Sequence, residues 1–353
     1  MTNSSEPLIF DGHNDVLTKQ FKQGPSARQE FANGNDFHID LLKASTGGLG
    51  GGFFAVWIPT EEFVGLDVDE LMRKPAYDLP LPNEIPYATA EPIALAQVAI
   101  LKRMEQDGLL EICTTTKQIR QCLNDKKMAA ILHMEGAEAI DPGFDMLEVL
   151  HMAGLRSLGP VWSRPTIYGH GVPFKYPSTG DTGPGLTDDG KNLIRECNRL
   201  KIMLDMSHLN EAGFWDVVKI SDAPIVATHS NAHAICPNAR NLTDKQLAAI
   251  KDSDGLVGLN FATAFLRPDG QMVAEVDLDL CVRHLDHLIE QLGPDRVALG
   301  SDFDGAIVPE KIGDAAGLSN LRDAMRGHGY DEDLMRKICH ENWLRVLALS
   351  WGE

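Results

Sequence analysis

The chain has 353 residues, 43% of them hydrophobic, and a formal net charge of −19. That size buries a large core, and an α/β barrel of this length forms as one domain, here residues 1–353. The charge excludes nucleic acid and anionic membrane as partners, since both repel an acidic surface.

Six cysteines (Cys113, Cys122, Cys197, Cys236, Cys281, Cys339) are scattered with no C-x-x-C pair, the pattern of reduced cytosolic thiols rather than a disulfide framework. Met1–Pro7 lacks the basic and apolar stretches of a secretory leader. No run approaches transmembrane length, and Leu347–Glu353 carries no lipid-anchor tail. The expectation is a soluble, cytoplasmic protein.

In chain order, β-rich apolar runs occur at Pro7–Gly12, Gly52–Ile58, Met128–Met134, Leu155–Trp162, Lys201–Met206, Pro224–Thr228, Gly255–Phe261 and Arg296–Gly300. Amphipathic stretches at Pro92–Gln106, Asp145–Ala153, Thr187–Leu200, Glu211–Ile220, Thr243–Lys251 and Asp277–Leu292 lie between them. Thr187 and Thr243, each followed by an acidic residue, are expected helix N-caps. A last helix spans roughly Asp331–Leu349. Such alternation means parallel strands joined by crossover helices, and eight of them make a (β/α)8 TIM barrel. Three connections after strand C-terminal ends exceed what a link needs: Phe21–Leu42, Pro59–Glu91 and Ser163–Gly185. The last, with Tyr168, His170, Phe174 and Tyr176, is expected to be a lid or substrate wall. Pro59–Glu91 suits a subunit interface equally well.

Titratable residues fall at the strand ends. Strand one runs into His13 and Asp15, strand three into Glu135, strand five into His208, strand six into His229 and strand eight into Asp302. His13 and Asp15, two apart on a strand, are expected to share one side. Six imidazoles and carboxylates on one rim are costly without a cation. Their N and O atoms suit zinc, and they exceed the needs of one catalytic ion. Two ions about 3.5–4 Å apart are therefore expected, other divalent metals being alternatives to zinc. His13 and Asp15 would hold one ion, His208 and His229 the other, and Glu135 would bridge. A shared water would ionise near neutral pH and attack a carbonyl carbon. Asp302 is placed to take that proton and pass it to the leaving group, with Asp304 the runner-up. His133 reads as a packed histidine behind Glu135, Asp205 as structural, and His170 and His233 as loop residues outside the site rather than substrate contacts.

With these residues placed, the chain resembles the membrane (renal-type) dipeptidase family of binuclear zinc barrel peptidases. The resemblance is carried by Phe10-Asp11-Gly12-His13-Asn14-Asp15, His133-Met134-Glu135-Gly136, Asp205-Met206-Ser207-His208 and Thr228-His229-Ser230-Asn231-Ala232. Ala239-Arg240-Asn241-Leu242, Gly300-Ser301-Asp302-Phe303-Asp304-Gly305 and Asn342-Trp343-Leu344-Arg345-Val346 extend it. It implies His13, Asp15, Glu135, His208 and His229 as zinc ligands, Glu135 bridging, and Asp302 as proton shuttle. It implies Arg240 as the grip on the substrate's C-terminal carboxylate, a role that suits a planar guanidinium. The substrate would be an L-Xaa–L/D-Xaa dipeptide, and the family allows a homodimer. One departure stands out: Trp162 occupies the place where mammalian members carry a substrate-contacting histidine, and an indole donates one hydrogen bond but does not titrate.

Two other readings use the same residues. A metal-dependent amidohydrolase for N-acyl amino acids, or a lactonase or deaminase, keeps the site and changes the bond. A non-catalytic binding protein keeps only the barrel.

Overall fold

A computed structural model of the protein describes residues 6–59, 63 and 65–353, so Met1–Ser5 of the amino-terminal reading and 60–62 and 64 of the second long connection lie outside the described residues. β1 (Ile9–Asn14), β2 (Leu49–Trp57), β3 (Ala129–Glu135), β4 (Leu155–Gly159) and β5 (Met203–Leu204) run parallel, side by side in that order. β6 (Val226–Ala227), β7 (Leu256–Asn260) and β8 (Val297–Gly300) form a second parallel group. Two parallel bridges, Asp205 to Val226 and Asn14 to Phe303, join the groups into a closed ring. At the second seam a carboxylate does part of the ladder's work. Asp11 accepts from Ser301 N at 2.6 Å and from Ser301 Oγ at 2.8 Å. Each of the eight expected strands overlaps one of these.

Alternation along the strands sorts the core. Phe10, Phe53, Ile131, Met203, Val226, Leu256 and Ala298 point inward and pack with Trp343, Leu344 and Leu347 of the last helix. Trp343 Nε1 donates to Leu299 O at 3.0 Å, so that helix plugs one end of the ring. Phe54, Leu132, Leu158 and Leu259 face outward into the helical layer. On β3 the inward series continues from Ile131 through His133 to Glu135, which carries polar groups to the opposite mouth.

Helices Asp188–Leu200, Glu211–Ile220, Asp244–Asp252 and Leu278–Leu292 follow the amphipathic stretches, and Thr187 and Thr243 cap two of them by accepting from Gly190 N and Gln246 N. One helix begins at Tyr87, before Pro92, which it carries internally. Helices Thr116–Asp125 and Leu318–His328 were not expected. The long connections are also structured. The first holds the end of helix Val16–Gln23 and the whole of Ala27–Asn33, and the second carries Val68–Met72. Tyr77–Asp78 of the second pairs antiparallel with Lys175–Tyr176 of the third, so two expected loops form one ribbon. Met72, Tyr77, Ala262 and Phe265, with Phe174 and Tyr176 against them, make an apolar roof beside the mouth.

Candidate active site

The residues singled out at the strand ends meet at the mouth of the ring, though not by strand alternation alone. β1 ends at Asn14, and Asp15 already occupies the N-cap of Val16–Gln23. The turn, rather than the pleat, brings Asp15 Oδ2 to 3.5 Å from His13 Nε2. His208 and Asp302 lie beyond their strands with φ of 68° and 59°, a left-handed backbone that costs a non-glycine residue energy and recurs at functional sites. Gly305 leaves room for two carboxylates: a Cβ on it would sit 2.3 Å from Asp15 Oδ2 and 2.5 Å from Asp302 Oδ1.

Glu135 is the hub. Its Oε1 lies 3.0 Å from His208 Nε2 and 3.5 Å from His229 Nε2, and its Oε2 lies 3.7 Å from His13 Nε2. The two Nε2 atoms of His208 and His229 are 3.1 Å apart, and the His13 ring stacks on His229 at 4.0 Å between centroids. Donor atoms of His13, Glu135 and His229 converge within 4.8 Å of one another, as do those of His13, Asp15 and Asp302.

Outer hydrogen bonds orient these imidazoles. Thr228 Oγ1 donates to Asp205 Oδ2 at 2.6 Å, so toward His229 Nδ1, at 2.8 Å, it can only accept. His229 Nε2 is thereby left with its lone pair facing Glu135. His208 Nδ1 lies 2.8 Å from Ser163 Oγ and 3.2 Å from Arg240 Nε. Both nitrogens of buried His13 lack a hydrogen-bond partner among the described residues. Convergent imidazole and carboxylate donors, one imidazole wholly unpartnered, are the donor set a borderline divalent ion takes.

The electrostatics agree. Burial pushes Glu135 well above the usual carboxylate range, with Asp15 and Asp302 adding to it, and burial also raises Asp302. Burial holds His208 and His229 well below the usual imidazole range, keeping both neutral. Burial works against the His13 cation as well, yet Glu135, Asp15 and Asp302 carry it up to about 10. The centre therefore calls for positive charge.

The other singled-out residues separate cleanly. Trp162, half-buried, lines a cavity of about 570 Å³ together with Asp15, Glu135, His208, Asp302 and Asp304. Its ring is 5.9 Å from that of His208 and edge-on to Trp57 and Phe174. Arg240 is buried behind this wall, donating to Ser230 Oγ at 2.9 Å and His229 O at 3.0 Å and lying over Phe265. Burial lowers its guanidinium to about 10. Asp304 accepts from His38 N at 2.7 Å. His133 is packed behind the site, 2.9 Å from Ser157 Oγ, and Asp205 is held by Ser207 N and Thr228. His233 reaches Ser178 O instead of the cavity, and neither it nor His170 lines the wall. Asn260, unremarked in the sequence, ends β7 and donates to Asp302 Oδ2 at 2.9 Å. A polar residue closing the apolar run Leu256–Leu259 was its available signal.

Comparison with known proteins places this architecture. A metallo peptidase from Rhodobacter sphaeroides, solved with a phosphinate mimic of the dipeptide L-Ala-D-Ala, is 52% identical with a TM-score of 0.96, covering 98% of this chain and 100% of that one. An amidohydrolase from Pseudomonas aeruginosa, 19% identical over 98% of this chain and 97% of that one, shares the fold with a TM-score of 0.75. An uncharacterized protein from the pqqA 5′ region of Klebsiella pneumoniae is 48% identical over 259 residues, 73% of this chain and 96% of its own. Among the described residues no helix is long and apolar enough to cross a membrane. The model of the membrane dipeptidase family, peptidase family M19, matches residues 4–349, and the chain belongs to that family as a metallo-dipeptidase.

Proposed function

We propose that the protein is a binuclear zinc dipeptidase hydrolysing small L-Xaa–L/D-Xaa dipeptides. The observation that carries this is the donor set around Glu135, in which neutral His208 and His229 face one carboxylate oxygen while His13 and Asp15 approach the other side. His13 and Asp15 would hold one ion and His208 and His229 the other, with Glu135 between them. Bound there, the ions would supply a Lewis acid and acidify a water.

The remaining work falls to side chains. Asp302, steadied by Asn260, takes the proton of the attacking water and returns it to the leaving amine. Arg240 receives the substrate's terminal carboxylate. In the tautomer where His208 donates its Nδ1–H to Ser163 Oγ, Arg240 Nε loses an acceptor and is free to donate to that carboxylate. Trp162 walls the cavity and offers its indole N–H to the substrate. The whole chain, 1–353, works as one barrel domain, since Trp343 and Trp351 of the last helix bond to backbone of β8 and β4. A cytoplasmic location fits six free, buried cysteines, and a dimer fits the family.

The test is metal analysis followed by a panel of L-Ala–L-Ala, L-Ala–D-Ala and N-acetyl-Ala. Two metals per chain and chelator-sensitive cleavage of the dipeptides, with N-acetyl-Ala spared, is the expected result. Cleavage of N-acetyl-Ala with dipeptides untouched would move the assignment to an N-acyl amino acid amidohydrolase.

A further inference from the structure

The cavity continues past the catalytic carboxylates to a wall that the reaction does not use. Lys19 and Lys22, one turn apart on helix Val16–Gln23, both line it, beside Thr18, Phe37, His38 and Trp57. Lys19 Nζ lies 5.7 Å from the Phe37 ring centroid and Lys22 Nζ 5.6 Å from that of Trp57. Neither has a carboxylate oxygen within 4.0 Å among the described residues. Lys43, Lys102, Lys127, Lys175 and Lys337, by contrast, all have ion-pair partners. Burial raises the Asp304 carboxyl to about 6, and Lys19 opposes that rise electrostatically without closing on it. His38, held down to about 4 by burial and by Lys19, stays neutral and neutralises nothing. Asp36 and Asp69, the other acids of this wall, are exposed at its rim.

Topology says which end of a substrate meets these lysines. Arg240 follows β6, whereas the lysine helix follows β1 and Trp57 ends β2, three and four strands further around the eight-stranded ring. A dipeptide whose terminal carboxylate lies at Arg240 directs its amino-terminal residue across the mouth toward that wall. Resting on the dipeptidase reading, we infer that Lys19 and Lys22 form an anionic side-chain subsite. The enzyme then favours dipeptides whose N-terminal residue is acidic, such as L-Glu–L-Xaa and L-Asp–L-Xaa. Aromatic rings hold the two ammonium groups at the wall, and a cleft concentrates their field on the bound side chain.

The test compares kcat/KM for L-Glu–L-Ala, its neutral isostere L-Gln–L-Ala, and L-Lys–L-Ala on the zinc-loaded full chain, with L-Ala–L-Ala as reference. The expected ranking is Glu over Gln over Lys, with a Glu/Gln ratio of roughly five- to tenfold at low salt that shrinks as salt is added. Lys19→Gln/Lys22→Gln brings that ratio close to one, and Lys19→Arg/Lys22→Arg retains it. A ratio of one or less in the wild type, or a ratio unchanged in the Gln pair, overturns the subsite while L-Ala–L-Ala cleavage keeps the dipeptidase reading intact. No cleavage of any dipeptide, L-Ala–L-Ala included, overturns that reading and the subsite with it.

Discussion

Thr228→Val tests the proposed metal centre without touching a proposed ligand. The hydroxyl of Thr228 links Asp205 Oδ2, at 2.6 Å, to His229 Nδ1, at 2.8 Å, and valine fills nearly the same space without it. His229 then loses the partner that holds its proton on Nδ1 and its lone pair on Nε2. Asp205 keeps the Ser207 and Thr228 backbone donors, so the carboxylate itself stays anchored. Loss of such an orienting partner weakens metal binding by about 10- to 100-fold, about 1.4–2.7 kcal/mol. A buried imidazole N–H left without an acceptor adds about 1–3 kcal/mol of destabilisation. The assay is zinc titration of metal-depleted protein against a competing fluorescent chelator, with urea unfolding of the same samples. Thr228→Ser, which restores the hydroxyl, is expected to bind zinc near the wild-type level. Wild-type zinc affinity in Thr228→Val, or serine behaving like valine, would refute the orienting chain.

Further outcomes follow from other contacts. Arg240→Ala is expected to lower kcat/KM for dipeptides by a factor corresponding to about 2–5 kcal/mol, and near wild-type kinetics would remove Arg240 from carboxylate binding. Burial holds the His284 pKa at about 4, against 6.5 in an unfolded chain, its nitrogens being used by Ala232 N and Leu266 O. Its folded form binds fewer protons than the unfolded chain between those values, so its contribution is complete above pH 6.5 and is lost as pH falls toward 4. The size is about 3 kcal/mol. Urea unfolding at pH 7 and pH 4.5 should show a smaller drop for His284→Gln than for wild type, and equal drops would contradict the assignment. A Cβ on Gly47 would lie 1.7 Å from Ala315 O, a backbone atom. Gly47→Ala should therefore cost about 3 kcal/mol of stability, and an unchanged melting temperature would mean that this contact is looser than it looks.

The barrel was legible because buried parallel strands are written as short apolar runs, most of them separated by helix-forming stretches. The convergence at the candidate site was legible for a related reason: a His, Asp or Glu ending such a run is conspicuous, as Glu135 is after Ala129–Met134. What escaped was anything defined by a distant partner. The ribbon of Tyr77–Asp78 with Lys175–Tyr176 joins segments about a hundred residues apart, with no local pattern announcing it. The hydroxyls of Ser163 and Thr228 were invisible for the same cause, since nothing in a serine or threonine shows which imidazole it will meet. The approach of His13 to Asp15 was anticipated for the wrong reason, because the strand stops at Asn14 and a helix cap finishes the geometry.

That ribbon has an implication for altering this enzyme. The roof over the cavity is woven from two paired connections, with Ala262 and Phe265 beyond β7 packed against them, so selectivity is a joint property and belongs to no single loop. Grafting one loop from a relative would transplant half of a pairing, leaving the Tyr77 and Lys175 edges mismatched and the Met72–Phe174–Phe265 cluster unfilled. Productive changes in substrate range should arise as matched pairs, one in each loop, and a library that randomises either loop alone will mostly sample broken roofs.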